Sequence, residues 1–257
     1  MKAKKSLGQH FLNQPAVARK IAESLLPIAG IPNVVEVGPG KGMLTQFLLE
    51  KYPDLVMIET DQDMVDFLDQ RFAGQTSRLY KANFLKADLE KIVGSPFSLI
   101  GNFPYNISSQ ILFKMLDNRA MIPQMVGMFQ KEVADRIGAE HGNKTYGILS
   151  VLVQAFYTVD HLFNVAPGSF SPPPKVNSSV IRLRAIEGVD LGIPLEKKLR
   201  QVVKVSFNQR RKMLRNSIRA LWPEHLSQDD PILSRRPEDL SVEDFIQLSK
   251  RLISSPN

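Results

Sequence analysis

Short apolar runs alternating with helix-period stretches restrict this chain more than any other feature. Asn33–Val37 (NVVEV), Leu55–Glu59 (LVMIE), Leu79–Ala82, Phe97–Ile100 and Gln124–Phe129 each read as a strand. Between them Met43–Lys51, Asp63–Phe72, Ile107–Leu116 and a stretch from Lys131 read as helices. Strand, helix, strand at this spacing predicts a parallel, doubly wound sheet, because each helical crossover returns the chain to the same end of the sheet. A late run, Asn177–Ala185 (NSSVIRLRA), alternates in the β manner, with Val180 and Leu183 among its apolar positions. It follows a Pro-rich stretch, Ser171–Lys175.

After Ala185 the character changes. Glu187–Pro194 reads as a Gly/Pro-containing linker, and the pattern beyond it is helical to the end. Val203, Phe207, Leu214, Ile218 and Leu221 fall on one apolar stripe, which predicts a single amphipathic helix. Lys204, Arg211, Arg215 and Arg219 fall on a neighbouring stripe of that helix. Ser241–Leu252 reads as a further helix with Ser241 as its N-cap. Two domains are expected, 1–185 with the sheet and 186–257 all helical.

At 43% hydrophobic and 23% charged, the 257 residues carry too much apolar content for a disordered chain. No apolar run reaches the length of a membrane span. Cysteine is absent, which excludes disulfides, thiol nucleophiles and zinc–cysteine sites. His10, His141, His161 and His225 are scattered without metal-ligand spacing, so no metal is expected. The basic N-terminus is not followed by the apolar stretch of a secretory signal, so a cytoplasmic location is expected.

Thirty-three basic residues against 26 acidic ones give a net charge of +7, which suggests a polyanionic partner. The excess is concentrated in two zones. Lys2, Lys4, Lys5, Arg19 and Lys20 precede the first acid, Glu23. Lys197, Lys198, Arg200, Lys204, Arg210, Arg211, Lys212, Arg215 and Arg219 follow one another with no acid among them. Such zones read as a footprint on nucleic acid rather than a uniformly solvated surface.

Three motifs carry chemistry. Glu36-Val37-Gly38-Pro39-Gly40-Lys41-Gly42 follows the first strand directly. The dinucleotide fingerprint is G-x-G-x-x-G; here the third glycine comes one residue early and Met43 takes its place. E-x-G-x-G-x-G is the pattern of S-adenosylmethionine enzymes, whose ligand has no pyrophosphate. Glu59 ends the second strand, placed to accept the ribose hydroxyls of a bound nucleoside. Asn102-Phe103-Pro104-Tyr105 follows the fourth strand, where loops form the ligand crevice of such sheets. An N-x-P-Y segment there resembles that of amino methyltransferases, whose target amine is a poor nucleophile because an adenine N6 lone pair is delocalised into the ring. The Asn102 carbonyl and a main-chain carbonyl at Pro104 can accept both N6 hydrogens and so favour a pyramidal nitrogen, while Tyr105 stacks on the base. No strong base is needed, since the methylated nitrogen loses its proton easily. Phe170-Ser171-Pro172-Pro173-Pro174-Lys175-Val176 places Phe170 at the start of a rigid segment, where it is expected to sandwich an extruded base against Tyr105.

With these motifs the chain resembles the ribosomal RNA adenine dimethyltransferase family, in its small-subunit branch. Lys5–Asn13 (KSLGQHFLN) matches the family's K-x-x-G-Q-[NH]-F-L. Asn102–Tyr105 matches N-L-P-Y with Phe103 for Leu, and Phe170–Val176 matches F-x-P-x-P-K-V. Phe207–Ser217 (FNQRRKMLRNS) resembles that branch's F-x-Q-R-R-K-x-x-R-N-S. The resemblance implies a class I S-adenosylmethionine-dependent methyltransferase (Rossmann-like) fold with a small all-helical C-terminal domain. It implies cofactor contacts from His10, Leu12, Gly38, Glu59, Asn83 and Asn102, to which the glycine loop adds Gly40. The implied reaction is N6,N6-dimethylation of two adjacent adenosines in the hairpin loop near the 3′ end of 16S rRNA, within an assembling small subunit. Lys204, Arg211, Lys212, Arg215 and Arg219, together with the N-terminal arm, would grip phosphates. A monomer is expected. Asn83 departs from the family, which carries Asp there.

Three alternatives stand beside this reading. A large-subunit rRNA adenine methyltransferase of the macrolide-resistance type shares the catalytic motifs, but Asn208–Arg215 argues against it. A DNA adenine methyltransferase uses N/D/S-P-P-Y, where Phe103 replaces the first Pro. A non-catalytic nucleic-acid-binding assembly or transcription factor on the same fold is disfavoured by an intact Asn102 and Tyr105.

Overall fold

The computed structural model describes residues 8–223 and 226–253. Its elements up to residue 137 are β1 (Phe11–Leu12), α1 (Pro15–Glu23), β2 (Asn33–Val37), α2 (Thr45–Leu49), β3 (Val56–Glu59), α3 (Gln62–Arg71), β4 (Leu79–Lys81), α4 (Leu89–Val93), β5 (Phe97–Asn102), α5 (Ser108–Asp117), β6 (Gln124–Gln130) and α6 (Lys131–Ile137). There follow α7 (Ile148–Gln154), β7 (Tyr157–Val165), β8 (Phe170–Ser171), β9 (Ser178–Ala185), α8 (Gly192–Asn208), α9 (Leu214–Ser217) and α10 (Val242–Ile253).

Seven strands form one sheet in the order β4-β3-β2-β5-β6-β9-β7. The first five are mutually parallel, and β9 runs antiparallel to β6. All but the first residue of β2 and all of β3 are buried, as expected of parallel strands covered on both faces. From β2 the chain steps outward through β3 and β4, then returns to β5 on the other side of β2. That reversal opens a crevice at the carboxyl ends of the strands. The expected sheet is therefore present, as are the expected helices between its strands.

A second, two-stranded ribbon was not foreseen. Phe11 pairs with Ser171 and Leu12 with Phe170, antiparallel, and Asn13 N–H donates to Ser169 O at 2.9 Å. Leu12 and Phe170 both enter a core cluster with Ile21, Leu48, Met128 and Val180.

The chain divides into two compact units, Met1–Ala134 with Val159–Ala185, and Asp135–Thr158 with Ile186–Asn257. A break after Ala185 was expected. The assignment of 135–158 to the second unit corrects the boundary drawn from sequence. In this unit α7 packs against α8 and α10, and Tyr146 meets Phe207 edge-on at 5.9 Å, with Phe245 at 5.7 Å beyond it. Leu149–Val153 is buried throughout, so α7 shows no amphipathic period to read.

The single amphipathic helix expected through 203–221 is also corrected. α8 begins inside the presumed linker, with Pro194 in its first turn, where the missing N–H breaks no helical bond. It ends at Asn208; Gln209 leaves helical space, and Met213 is extended (φ −63°, ψ 153°). Tertiary partners impose the break. Arg210 Nε donates to Glu238 Oε2 at 2.6 Å and its Nη2 to Asn143 O at 3.1 Å, while Leu214 N–H donates to Arg235 O at 2.9 Å. Ser241 does cap α10: Asp244 N–H donates to Ser241 Oγ and Ser241 N–H to Asp244 Oδ2, both at 3.0 Å.

Candidate active site

A cavity of about 250 Å³ opens at the carboxyl ends of β2, β3, β4 and β5. Its walls are Val37–Lys41 and Met43 at and after the end of β2, Glu59 and Thr60 at and after the end of β3, Asn83–Leu85 after β4, and Asn102–Ile107 at and after the end of β5, closed by Gly8–Leu12. The cofactor and catalytic residues expected from sequence, Phe170 excepted, converge here: His10, Leu12, Gly38, Gly40, Glu59, Asn83, Asn102, Pro104 and Tyr105.

The glycine loop turns in left-handed backbone. Gly38 has φ +67° and nothing within 4 Å of where a Cβ would stand, so the loop leaves room on that side. At Gly40 (φ +56°) a Cβ would approach the Phe11 ring to 3.1 Å, so this glycine lets the N-terminal segment lie close over the loop. Gly40 N–H donates to Glu59 Oε2 at 3.1 Å; Thr60 and Asp61 N–H donate to Oε1 at 2.8 and 2.9 Å. Burial raises the Glu59 pKa above the usual carboxylate value, and these three amides oppose that rise. A carboxylate has about four acceptor sites, so these three bonds leave one open.

Behind the loop Glu36 is 1% exposed and accepts from Thr45 Oγ1 at 2.7 Å. Burial pushes its pKa up to about 8, the Thr45 bond pulls it down, and the Glu59 charge adds to the rise. Asn83 Oδ1 accepts from Leu85 N–H at 3.0 Å, which orients its amide beside the cavity.

His10 links three distant segments. Its carbonyl accepts from Asn102 Nδ2 at 3.0 Å, its Nδ1 lies 2.8 Å from Pro172 O, and its ring stacks on Tyr105 at 5.4 Å. The bond to His10 leaves Asn102 Oδ1 as the group able to accept from a substrate amine. Pro104 O accepts from Ile107 N–H at 3.2 Å and keeps a second lone pair. The Tyr105 hydroxyl lies 2.5 Å from Ser178 Oγ, and burial raises its pKa.

Phe170 is not brought to the cavity. Its side chain is 3% exposed in the core cluster and is not among the residues that line the cavity. β1 pairing and core packing hold it there. Two features escaped the sequence reading. Ser178 holds Tyr105 in place, yet in sequence it was one polar residue in an alternating strand. Phe103, the departure from N-L-P-Y, is buried against Phe129 at 5.3 Å. Its ring fits because Gly101 and Gly127 stand opposite each other on β5 and β6; a Cβ on Gly101 would come within 2.7 Å of it. Two glycines on neighbouring strands were a visible signal, but only the register shows that they pair.

The basic residues lie in the second unit, all exposed: Lys204 on α8, Arg211 and Lys212 in the turn after it, Arg215 on α9 and Arg219 just beyond. They therefore occupy several elements and not one helical stripe. Lys2, Lys4, Lys5 and His225 lie outside the described residues. Arg19 pairs with Glu50 at 3.3 Å and covers the Phe47 ring. Among the described residues no three His, Asp or Glu side chains are grouped to hold a metal ion, and no helix is long and apolar enough to cross a membrane.

The family model described as ribosomal RNA adenine dimethylase matches residues 1–253. A Parabacteroides distasonis protein named ribosomal RNA small subunit methyltransferase A is 50% identical over 253 residues, covering 97% of this chain and 93% of that one. The crystal structure of a dimethyladenosine transferase from Plasmodium falciparum aligns with a TM-score of 0.77 at 27% identity, over 93% of this chain and 96% of that chain. That of the 23S rRNA methyltransferase ErmE aligns with a TM-score of 0.69 at 23% identity, over 95% and 100%, a similarity of fold.

Proposed function

The chain belongs to the ribosomal RNA adenine dimethylase family, and from that membership we infer that it dimethylates adenine N6 in small-subunit ribosomal RNA with S-adenosylmethionine as donor. The observation that carries the chemistry is the fixed orientation of Asn102. Its amide nitrogen is engaged by His10 O, so its oxygen is left to accept from an amine.

The cavity suits the donor. The open side of Gly38 admits a ligand against the loop, Glu59 keeps an acceptor site for a ribose hydroxyl, and Asn83 offers its amide to the adenine. S-adenosylmethionine supplies an electrophilic methyl group when bound. Asn102 Oδ1 and the Pro104 carbonyl accept the two N6 hydrogens, drawing the lone pair out of conjugation and aiming it. Tyr105, held by Ser178, presents a ring face to the base. The nitrogen sheds a proton after each transfer without a strong base. Catalysis is then mainly positioning, and no step calls for a metal. In the second round only one N6 hydrogen remains, so one of the two carbonyls loses its partner.

The finer assignment is two adjacent adenosines in the 3′-terminal hairpin loop of 16S rRNA, met in an assembling small subunit in the cytoplasm by a monomer. Lys204, Arg211, Lys212, Arg215 and Arg219 hold the RNA backbone. Mass mapping of small subunits that lack these methyl groups, after incubation with the chain and S-adenosylmethionine, tests this. Two dimethyladenosines in that loop are expected; methyl groups on large-subunit rRNA alone, or none, overturn the reading.

A further inference from the structure

Arginines that build the second unit are paired with acids: Arg200 with Glu196, Arg210 with Glu238, Arg235 with Asp244 and Arg251 with Asp230. Lys144, Arg211 and Lys212 are exposed, and among the described residues no group holds their side chains. Lys144 belongs to neither basic zone of the sequence. It stands in the loop 138–147, between α6 and α7, and three contacts fix that loop to residues much later in the chain. Gly142 N–H donates to Glu238 O at 2.6 Å, Arg210 Nη2 donates to Asn143 O at 3.1 Å, and the buried Tyr146 ring meets Phe207. Asn143 Oδ1 accepts from Thr145 N–H and from its hydroxyl, both at 3.0 Å, so the turn that carries Lys144 is bonded on both sides.

Arg210 is the brace. Its Nε donates to Glu238 Oε2 at 2.6 Å while Nη2 reaches Asn143 O, 67 positions away in sequence. Lys144 follows the residue it holds, and Arg211 and Lys212 follow Arg210 itself. Two distant segments are thereby set side by side, and their free cations with them. Cations gathered without counter-charge repel one another, and a polyanion relieves that repulsion.

We propose that the loop 138–147 belongs to the RNA-binding surface, that Lys144 contacts an RNA phosphate beside Arg211 and Lys212, and that Arg210 is the positioning residue that sets them together. The inference rests on the proposed function and adds to it a segment outside both basic zones. The Arg210 guanidinium is occupied by protein oxygens, so its part is indirect. A tethered loop loses less freedom on binding than a loose one, so more of the attraction to phosphate is retained.

The full-length chain, fluorescently labelled, is titrated with small subunits that lack the methyl groups, over a series of salt concentrations. Each phosphate neutralised releases about 0.7–0.9 counterion, which appears in the slope of log affinity against log salt. Lys144→Gln should make that slope shallower by about 0.7–0.9 and weaken binding roughly 5- to 8-fold near 0.1 M salt. Calorimetry should find cofactor affinity unchanged. Lys144→Arg should keep the slope, and so should Lys51→Gln, which removes a lysine exposed in the first unit. Arg210→Lys keeps a charge for Glu238 but lacks the forked guanidinium that also reaches Asn143. In that background Lys144→Gln should cost less than about threefold, because the two residues act through one loop. An unchanged slope with Lys144→Gln, or an equal loss with Lys51→Gln, overturns the proposal. A full cost of Lys144→Gln beside Arg210→Lys overturns the positioning role of Arg210. A parent chain that binds subunits yet transfers no methyl group to adenine overturns the proposed function, while the slopes still decide this proposal.

Discussion

Glu36→Gln should change how stability depends on pH. The Glu36 carboxyl is buried behind the glycine loop, with a pKa raised from 4.5 to about 8. In the unfolded chain it ionises near its ordinary value, while in the fold it keeps its proton. A group raised in this way contributes stability that is complete below pH 4.5 and lost as pH climbs through 8. Between pH 5 and pH 7 the unfolded chain alone releases the proton, at about 1.4 kcal/mol per pH unit, so the parent should lose about 2–3 kcal/mol from this group. Glutamine has no proton to release. It can still accept from Thr45, but its second amide hydrogen needs a partner, a pH-independent cost of about 1–3 kcal/mol. The test is therefore the slope and not the offset. Urea unfolding of both proteins at pH 5, 6, 7 and 8 should give a difference that moves about 2–3 kcal/mol in favour of glutamine from pH 5 to 7 and flattens above 8. Parallel curves would refute the reasoning, because they would mean that Glu36 is ionised in the fold.

Asn102→Ala should lower turnover by roughly two orders of magnitude or more while cofactor affinity stays within about tenfold, since it removes a positioning group; parent-level turnover in a tritiated-methyl assay would take Asn102 out of the reaction. Arg211→Ala with Arg215→Ala should weaken subunit binding and flatten its salt dependence, because fewer counterions are released; an unchanged salt slope would place both residues off the RNA. Arg210 is left out because its bonds to Glu238 and Asn143 make it structural. Asn83→Asp should tighten S-adenosylmethionine by up to about tenfold, as a neutral acceptor becomes a charged one, and Asn83→Ala should weaken it. Equal affinities of Asn and Ala by calorimetric titration would mean that position 83 does not meet the adenine.

The parts of this molecule legible in sequence are those that local physics decides. Asn33–Val37 emerges as read, because a strand buried on both faces is a run of apolar residues. Ser241 caps α10 because the box that closes the turn lies within four residues. Gly38, Gly40, Glu59, Asn102, Pro104 and Tyr105 were legible because each stands at or just past the end of a strand, where this topology puts its ligands, whereas His10, Leu12 and Asn83 came only from the resemblance. What was missed depends on partners far along the chain. The stripe through 203–221 is helical in period, but Glu238 and Arg235 break it from outside. Phe170 reads as a free aromatic until Leu12 is seen pairing with its backbone. Phe103 reads as a deviation until Gly127 is placed opposite Gly101.

The junction at His10 also imposes an order on synthesis. The residues joined there are separated by 92 positions in one bond and 162 in another. The glycine loop and Glu59 leave the ribosome early, whereas Pro172 and Ser178 belong to the last stretch of the first unit. Domains fold as units as they emerge. A chain still in translation and shorter than about 170 residues therefore has the strands that shape a cofactor loop but no anchor for the imidazole and no clamp on Tyr105. The loop that shapes the crevice is thus made well before the residues that hold the His10 ring and the Tyr105 hydroxyl.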